Sequence, residues 1–180
     1  MGLAMWASGS NVEPKRVMTE AFLSIGSNID PESHIPEAIR ELELAFGTLR
    51  ISSLYETAAV GFDGPHFHNL VVSFESDQPA ESIALMLRKL EKKHGRTRDS
   101  QKFSSRTLDV DLILLGDTIM DEGPVKLPRP EILCYAFVLE PLAEIAPNHR
   151  HPITGASYHE LWANFRKQDV HQHRIAEHIR

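Results

Sequence analysis

The alternation of apolar and polar positions divides this chain into short segments typical of strands and longer ones typical of helices. Apolar runs predict strands at 21–25, 49–55 and 70–75, and a fourth from Asp109 to the glycine at 116. Apolar residues at helical spacing predict helices at 33–46 and 79–94, each followed by a glycine suited to end it. A shorter closing helix is expected at 158–165.

The order strand, helix, strand, strand, helix, strand is typical of the split βαβ, or ferredoxin-like, fold. We therefore predict an α+β domain with an antiparallel sheet and both main helices packed on one face. The other face of the sheet is expected to be free for a ligand cleft.

Two carboxylates interrupt the fourth predicted strand. Asp109 and Asp111 are two positions apart, so they point to the same face, whereas Val110, Leu112 and Leu114 should point to the other. Neighbouring carboxylates repel each other unless a cation lies between them, and Mg²⁺ prefers oxygen ligands combined with substrate phosphates. An Asp-x-Asp pair is also common as solvated chemistry at a strand end, but the apolar continuation favours a metal site.

The segment 96–106 leads into this strand and is polar and basic. Arg106 offers a planar donor suited to phosphate oxygens. Cations just before a metal-binding strand can clamp a polyphosphate whose other oxygens contact the metal. Without the two aspartates, a solvated loop would be the simpler interpretation.

Composition limits the classes of function. The chain has 180 residues, 42% of them apolar and 24% charged, which predicts one domain with a proper core. A formal net charge of −6 argues against non-specific nucleic-acid binding. The single cysteine, Cys134, cannot form an internal disulfide, and no apolar run approaches the roughly 20 residues of a membrane span. We expect a cytoplasmic monomer without nucleic-acid or membrane partners.

The two ends of the chain are expected to lie outside the domain. We predict a dispensable flexible leader at 1–18, a folded domain at 19–165 and a polar tail at 166–180. Three tail histidines, His171, His173 and His178, would suit a metal. A mobile charged terminus is the favoured interpretation, because nothing in the sequence fixes these side chains.

The region between the second and third strands carries candidate binding residues. The segment 56–68 is long for a loop in a small domain, and such loops are often functional. Asn69 follows it at the entrance of a strand. A buried asparagine there can hydrogen-bond the polar edge of a heteroaromatic ring, although asparagine at such a position is also typical of a turn.

Six motifs occur along the chain in an order found in one known family. They are Ser-Ile-Gly-Ser-Asn at 24–28, Tyr-Glu-Thr at 55–57, Phe-His-Asn at 67–69, Gly-Arg-Thr-Arg at 95–98, Arg-Thr-Leu-Asp-Val-Asp at 106–111 and Phe-Val-Leu-Glu-Pro-Leu-Ala-Glu-Ile-Ala-Pro at 137–147. Over residues 20–163 the chain resembles the 6-hydroxymethyl-7,8-dihydropterin pyrophosphokinases of folate biosynthesis.

This resemblance implies an ATP-dependent enzyme that transfers pyrophosphate from ATP to the pterin hydroxymethyl oxygen and leaves AMP. It implies two Mg²⁺ ions on Asp109 and Asp111, with Arg96 and Arg106 as catalytic arginines. The residues implied in pterin binding are Thr57, Val60, Phe67, Asn69 and Phe137. Those implied in ATP binding are Glu91, Phe103, Arg106 and Arg129. The loops near Gly61 and Phe103 resemble those that close over substrate in the family.

The chain also departs from the family pattern near the expected triphosphate. It has Phe-Ser-Ser at 103–105 in place of Trp-Gly-Pro, Arg129 where a histidine is usual, and Tyr135 where an arginine is usual. We expect Arg129 to substitute for the histidine. A non-catalytic pterin-binding paralogue would keep Asn69 and Phe137 but lose triphosphate contacts. An RNA-binding module with the same strand order is a third class, which the acidic charge disfavours.

Overall fold

A computed structural model of the chain describes residues 17–59, 63–95, 105–166 and 172–176. Within these ranges the elements are β1 (Thr19–Ser27), α1 (Pro31–Phe46), β2 (Arg50–Ile51), β3 (Leu54–Thr57), β4 (Phe67–Ser76), α2 (Ala80–Lys93), β5 (Asp109–Leu115), α3 (Glu131–Cys134), α4 (Ala136–Ile145), α5 (Tyr158–Ala163) and β6 (Gln172–Ala176). No helix of the described part of the chain combines the length and apolar character needed to cross a membrane.

The strands form one antiparallel sheet in the order β5-β1-β4-β3-β6, and the short β2 also pairs with β4. Strands β1 and β4 lie at the centre, with β5 on one side and β2 and β3 on the other. This is the arrangement expected of two split βαβ units, so the predicted α+β ferredoxin-like fold is confirmed.

Helices α1 and α2 pack on one face of the sheet, as predicted. Ile35 and Leu42 of α1 and Ile83 and Leu87 of α2 form a buried cluster with apolar side chains of the central strands, among them Leu23. These positions recur at three- to four-residue spacing, so each helix buries one continuous stripe.

The other face of the sheet is free only in part. Phe22 and Val71 of the sheet form a second buried cluster with Val138 and Leu142 of α4 and with Tyr158 of α5. The periodicity did not predict α4, whose sequence is apolar on most sides and contains a proline. The expectation that this whole face of the sheet is free for a ligand is therefore wrong in part. Helices α4 and α5 cover one portion of the face, and only the portion beyond this cluster is open.

A β-bulge corrects the predicted orientation of Leu114. Leu114 pairs with Phe22 and Leu112 pairs with Leu23, so Ile113 is an additional residue in β5. Beyond the bulge the side chains exchange faces. Leu114 therefore packs in the second cluster, on the face of the aspartates, whereas Val110 and Leu112 pack against the helices as expected.

The second predicted strand is divided into β2 and β3. The hydroxyl of Ser52 accepts a hydrogen bond from the backbone N–H of Val71 at 3.0 Å, and Ser53 donates its N–H to Glu144 of α4 at 3.0 Å. Because side chains satisfy the backbone here, the regular ladder is interrupted. The segment 56–68 is also less irregular than predicted, because its ends belong to β3 and β4.

The prediction of a mobile tail is wrong for β6. This strand pairs antiparallel with β3, and His173 lies 3.4 Å from the carboxylate of Glu56. The edge of β3 offers backbone groups with which an additional strand can form hydrogen bonds. The polar composition of the tail did not indicate this pairing. The predicted leader at 1–18 lies mostly outside the described residues, as do His171 and His178.

Candidate active site

One row of residues crosses the sheet where the second apolar cluster ends. Asp109 lies opposite Gly26, Gly26 opposite Asn69, and Asn69 opposite Tyr55. Directly opposed residues share a face, so Asp109 and Asn69 point to the same side, about 10 Å apart across two strand spacings. Asp111 and Val71 flank Ser24 in the next row. The row of polar residues therefore borders the second buried cluster beneath α4, to which Val71 belongs.

The β5 end of this row is charged and partly exposed. The side chains of Asp109 and Asp111 are 25% and 46% exposed. Arg106 forms an ion pair with Asp109, and Arg129 lies 3.4 Å from Asp111 and 3.2 Å from Glu131. Each aspartate of the pair therefore has its own guanidinium, and the structure brings together the predicted metal ligands and two of the predicted phosphate-binding arginines.

The donor set at this end suits Mg²⁺. Two carboxylates point to one side of an edge strand, and both are open enough to exchange a guanidinium for another cation. Hard oxygen ligands of this kind are those that Mg²⁺ takes when substrate phosphates complete its coordination. The buried Nε of Arg129 has no hydrogen-bond partner within the described part of the chain, so this side chain retains a donor for a ligand.

Asn28 holds the start of the charged end in place. Its Oδ1 accepts the backbone N–H of Arg106 at 2.7 Å, and its Nδ2 donates to the carbonyl of Pro65 at 3.1 Å and to the hydroxyl of Ser105 at 3.3 Å. The N–H groups of Asn28 and Ile29 both donate to the Arg106 carbonyl. One buried side chain therefore connects the turn after β1 to two segments that border the site.

The β4 end of the row is neutral and buried. Asn69 and Thr57 are 5% and 6% exposed, and Asn69 donates its amide to the Thr57 hydroxyl at 2.8 Å. A Cβ at Gly26 would lie 2.7 Å from the Oδ1 of Asn69 and 3.8 Å from the ring of Phe67. Only glycine leaves room for this asparagine, which lies inside β4 and not in a turn.

Thr57 and Phe137 line one cavity of about 680 Å³ between β3, α4 and α5. Phe137 stacks on Tyr135, with ring centroids 5.0 Å apart and planes inclined by 17°. Phe67 pairs with Thr57 across the neighbouring strands. The predicted ring-binding residues Thr57, Phe67 and Asn69 are therefore adjacent, and Phe137 lines the same cavity as Thr57.

Glu91 lies at a second cavity, of about 960 Å³, which is also lined by Asp111 and Arg129 at the edge of β5. Its carboxylate is buried and accepts the backbone N–H of Val110 at 2.9 Å. Because β5 is an edge strand, this N–H requires an acceptor outside the sheet. Glu91 therefore fixes α2 to β5 beside the cavity.

Glu144 fixes α4 to the neutral end. Its two carboxylate oxygens accept from the Ser53 hydroxyl at 2.8 Å and from the Tyr55 hydroxyl at 2.9 Å. Burial, together with the charge and hydrogen bond of Glu144, raises the pKa of Tyr55 to about 12, although a hydrogen bond from Arg174 acts in the opposite direction. Tyr55 thus remains a neutral donor to Glu144.

The family of the chain follows from comparison with known proteins. A model of the family described as 7,8-dihydro-6-hydroxymethylpterin-pyrophosphokinase matches residues 22–147. The chain belongs to this family. Two similar proteins are named 2-amino-4-hydroxy-6-hydroxymethyldihydropteridine pyrophosphokinase. The Aquifex aeolicus protein is 34% identical over 76% of this chain and 86% of its own length. The Synechocystis protein is 35% identical over 78% and 73%, respectively.

Solved structures agree in fold. A crystal structure of Plasmodium falciparum HPPK-DHPS, wild type with pterin and p-hydroxybenzoate, superimposes with a TM-score of 0.65 at 12% identity. The match covers 90% of this chain and 47% of that one, so the chain spans about half of the length of that protein.

Three predicted site residues of this pyrophosphokinase-family chain, Val60, Arg96 and Phe103, lie outside the described residues. Two residues of the site were missed by sequence reasoning. Gly26 and Asn28 were quoted only as part of the Ser-Ile-Gly-Ser-Asn motif and were given no role, yet one makes space for Asn69 and the other positions Arg106. The available signal was a Gly-Ser-Asn sequence at the end of a predicted strand.

Proposed function

We propose that this chain transfers the pyrophosphoryl group of ATP to the hydroxymethyl oxygen of 6-hydroxymethyl-7,8-dihydropterin and releases AMP. The row that joins Asp109 to Asn69 carries this proposal, because it presents an anionic metal-type site and a buried amide on one face, about 10 Å apart. This separation suits a ring at one end and a phosphate chain at the other. The family and the named relatives support the same activity.

At the neutral end we assign pterin binding to Asn69, Thr57, Phe67 and Phe137, with Val60 included by resemblance. The amide of Asn69 is held by Thr57, so it is oriented before the ligand arrives. Phe67 and Phe137 are suited to enclose the ring, since aromatic pairs contribute about 0.5–1.5 kcal/mol beyond the burial of their area. A pre-oriented polar edge between aromatic faces favours a flat heteroaromatic ligand.

At the charged end we assign Asp109 and Asp111 to two Mg²⁺ ions. When bound, these ions would neutralise charge on the triphosphate and on the leaving AMP. Arg106 and Arg129 lie beside the aspartates and are assigned to the phosphate oxygens, together with Arg96, while Glu91 and Phe103 are assigned to the nucleotide. These arginines would orient the β-phosphorus toward the pterin hydroxyl. As the bond from the hydroxyl oxygen to the β-phosphorus forms, the bond from that phosphorus to the bridging oxygen would break, AMP would leave with this oxygen, and the hydroxyl proton would pass to water.

A second candidate is a pterin-binding protein without catalysis. This candidate is favoured by Tyr135, which occupies a position where an arginine is usual in the family. Tyr135 stacks on Phe137 and offers no cation. Such a protein would bind the pterin at Asn69 and Phe137 but would not produce AMP. Arg129 argues against it, since this residue supplies a guanidinium beside Asp111.

The test is AMP release by the full chain from ATP and Mg²⁺, with and without the pterin. We expect AMP to appear only when the pterin is present, and to disappear in Asp111→Asn. Pterin binding without AMP, measured by calorimetry on the same preparation, would support the non-catalytic candidate. Absence of both binding and AMP would contradict both assignments. We further propose a cytoplasmic monomer whose folded unit contains β6 in addition to residues 19–165. Sedimentation of the full chain tests its oligomeric state.

A further inference from the structure

A compact group of metal-ligating side chains lies on α1 and at the end of α2, on the opposite side of the sheet from the aspartates. His34, Glu37 and Glu41 are spaced three and four residues apart, so they occupy one face of α1. His94 follows the last turn of α2 and is buried against them. Residues from two helices thus converge at a place that the proposed reaction does not use.

The geometry is close to that of a coordination site. The Nδ1 atoms of His34 and His94 are 2.8 Å apart, and one ligand atom each from His34, Glu37 and His94 all lie within 4.8 Å of one another. Two nitrogens bound tetrahedrally to Zn²⁺ at 2.0–2.1 Å are about 3.3 Å apart. The rings therefore need to separate by only about half an ångström, and His34, which is partly exposed, has room to turn.

Glu41 orients the buried histidine. The Nε2 of His94 lies 3.3 Å from a carboxylate oxygen of Glu41, whose other oxygen accepts from Lys93 at 2.9 Å. An Nε2–H that donates to Glu41 leaves the Nδ1 lone pair of His94 directed at His34 and Glu37. Carboxylate–histidine pairs of this kind fix the tautomer and orientation of metal-binding histidines.

We propose that His34, His94 and Glu37 bind one divalent transition-metal ion of the Zn²⁺ class, and that Glu41 is the positioning residue for His94. Two imidazoles and one carboxylate suit Zn²⁺, Co²⁺ or Ni²⁺, whereas Mg²⁺ prefers oxygen ligands. The site is therefore chemically distinct from the aspartate pair on β5. A bound ion would join the first turns of α1 to the last turn of α2, directly before the segment that contains Arg96.

The test measures metal binding and stability in the full chain, stripped of metal and free of a purification tag. In excess Mg²⁺, we expect one equivalent of Zn²⁺ to compete with a chromophoric chelator, and Co²⁺ at the same site to give visible ligand-field absorption. At a Zn²⁺ concentration 100 times the Kd, the melting temperature should rise by roughly 5–10 °C.

Substitutions distinguish Zn²⁺ binding at this site from Zn²⁺ binding by the other histidines. Glu41→Gln should weaken Zn²⁺ binding by about 10–100-fold, and His34→Gln or Glu37→Gln by at least as much. These last two carry the test, because they are more exposed than His94 and less prone to disturb folding. The matched control replaces the tail histidines His171, His173 and His178 by glutamine and should retain the site.

Unchanged Zn²⁺ affinity and melting shift in His34→Gln and Glu37→Gln would overturn the proposal. Loss of the Co²⁺ absorption only in the tail variant would overturn it equally. Neither result depends on pyrophosphoryl transfer, so the metal site and the proposed enzyme activity stand or fail separately.

Discussion

The two ends of the row that joins Asp109 to Asn69 are stabilised in different ways. At the β5 end the side chains are charged, partly exposed and joined by ion pairs, with Arg106 and Arg129 as the partners. At the β4 end they are neutral, almost fully buried and joined by hydrogen bonds. Partly exposed ion pairs can exchange partners at little cost, whereas a buried amide cannot move without losing its hydrogen bond. We therefore expect the β5 end to control rate and the β4 end to control pterin affinity.

The largest effect is expected from Asp111→Asn or Asp109→Asn. Loss of a metal ligand removes several kcal/mol of charge stabilisation, which lowers kcat by about 1000-fold or more. Pterin affinity should change little, because Asn69 lies at the other end of the row. Steady-state kinetics with calorimetric titration of the pterin measures both quantities.

The matched control for the aspartates is Asp121→Asn, which changes an exposed carboxylate outside the row. It should leave kcat and pterin affinity unchanged. If Asp111→Asn raised the pterin Kd as much as it lowered kcat, the division of roles between the two ends would be wrong.

Gly26→Ala should damage the neutral end more than the charged end. The added Cβ meets the Oδ1 of Asn69 at 2.7 Å, so the asparagine must move. We expect a loss of about 1–3 kcal/mol in the free energy of unfolding, as for other overpacked sites, and a pterin KM raised by more than tenfold. Chemical denaturation and kinetics provide the two measurements.

The double variant Gly26→Ala with Asn69→Ala tests whether the contact with Asn69 causes the loss of stability in Gly26→Ala. Removing the amide relieves the contact, so the two stability losses should fall short of additivity by at least about 0.5 kcal/mol. Strict additivity would show that Gly26 serves some purpose other than making space for Asn69. Pterin binding should not recover in the double variant, because the Asn69 amide is absent.

Thr57→Val should produce a smaller effect on the same end. It removes the hydroxyl that accepts from Asn69 but preserves the volume, leaving a buried amide donor unsatisfied at a cost of about 1–3 kcal/mol. We expect a pterin KM raised by roughly tenfold with kcat nearly unchanged. Thr57→Ser retains the hydroxyl and is the control. Equal KM values for the two variants would mean that the hydrogen bond does not orient Asn69.

The sequence predicted the fold well wherever local periodicity decides the structure. Helices α1 and α2 are amphipathic and strand β5 is apolar after its two aspartates, and each of the three was predicted within a few residues. Strand β6 depends on the free edge of β3, and the bulge at Ile113 depends on register with β1. These pairings are long-range, and local composition carries no signal for them.

The same distinction between local pattern and long-range contact applies to the residues of the site. Asp109 and Asp111 were predictable as a pair because their spacing of two residues alone places both on one face. The proximity of Asn69 to Gly26 and of Asn28 to Arg106 arises only when β1 lies between β4 and β5. The convergence of His34 and His94 likewise requires the two helices to pack side by side. Contacts between distant segments were therefore the part that residue types could not reveal.

The smallest effect we expect is a dependence of stability on alkaline pH that originates at the neutral end. The pKa of Tyr55 rises from 10.0 in the unfolded chain to about 12 in the folded protein, where the phenol donates to Glu144. The folded state therefore binds this proton more tightly, so its stabilisation is complete below pH 10 and is lost as the pH rises toward 12. Urea denaturation between pH 9 and pH 12 should show the decline in the unmodified chain and a shallower one in Tyr55→Phe. Some decline should remain in Tyr55→Phe, because burial also raises the pKa of Tyr158. Identical pH profiles for the two proteins would mean that Tyr55 is not the buried neutral donor that joins α4 to the row.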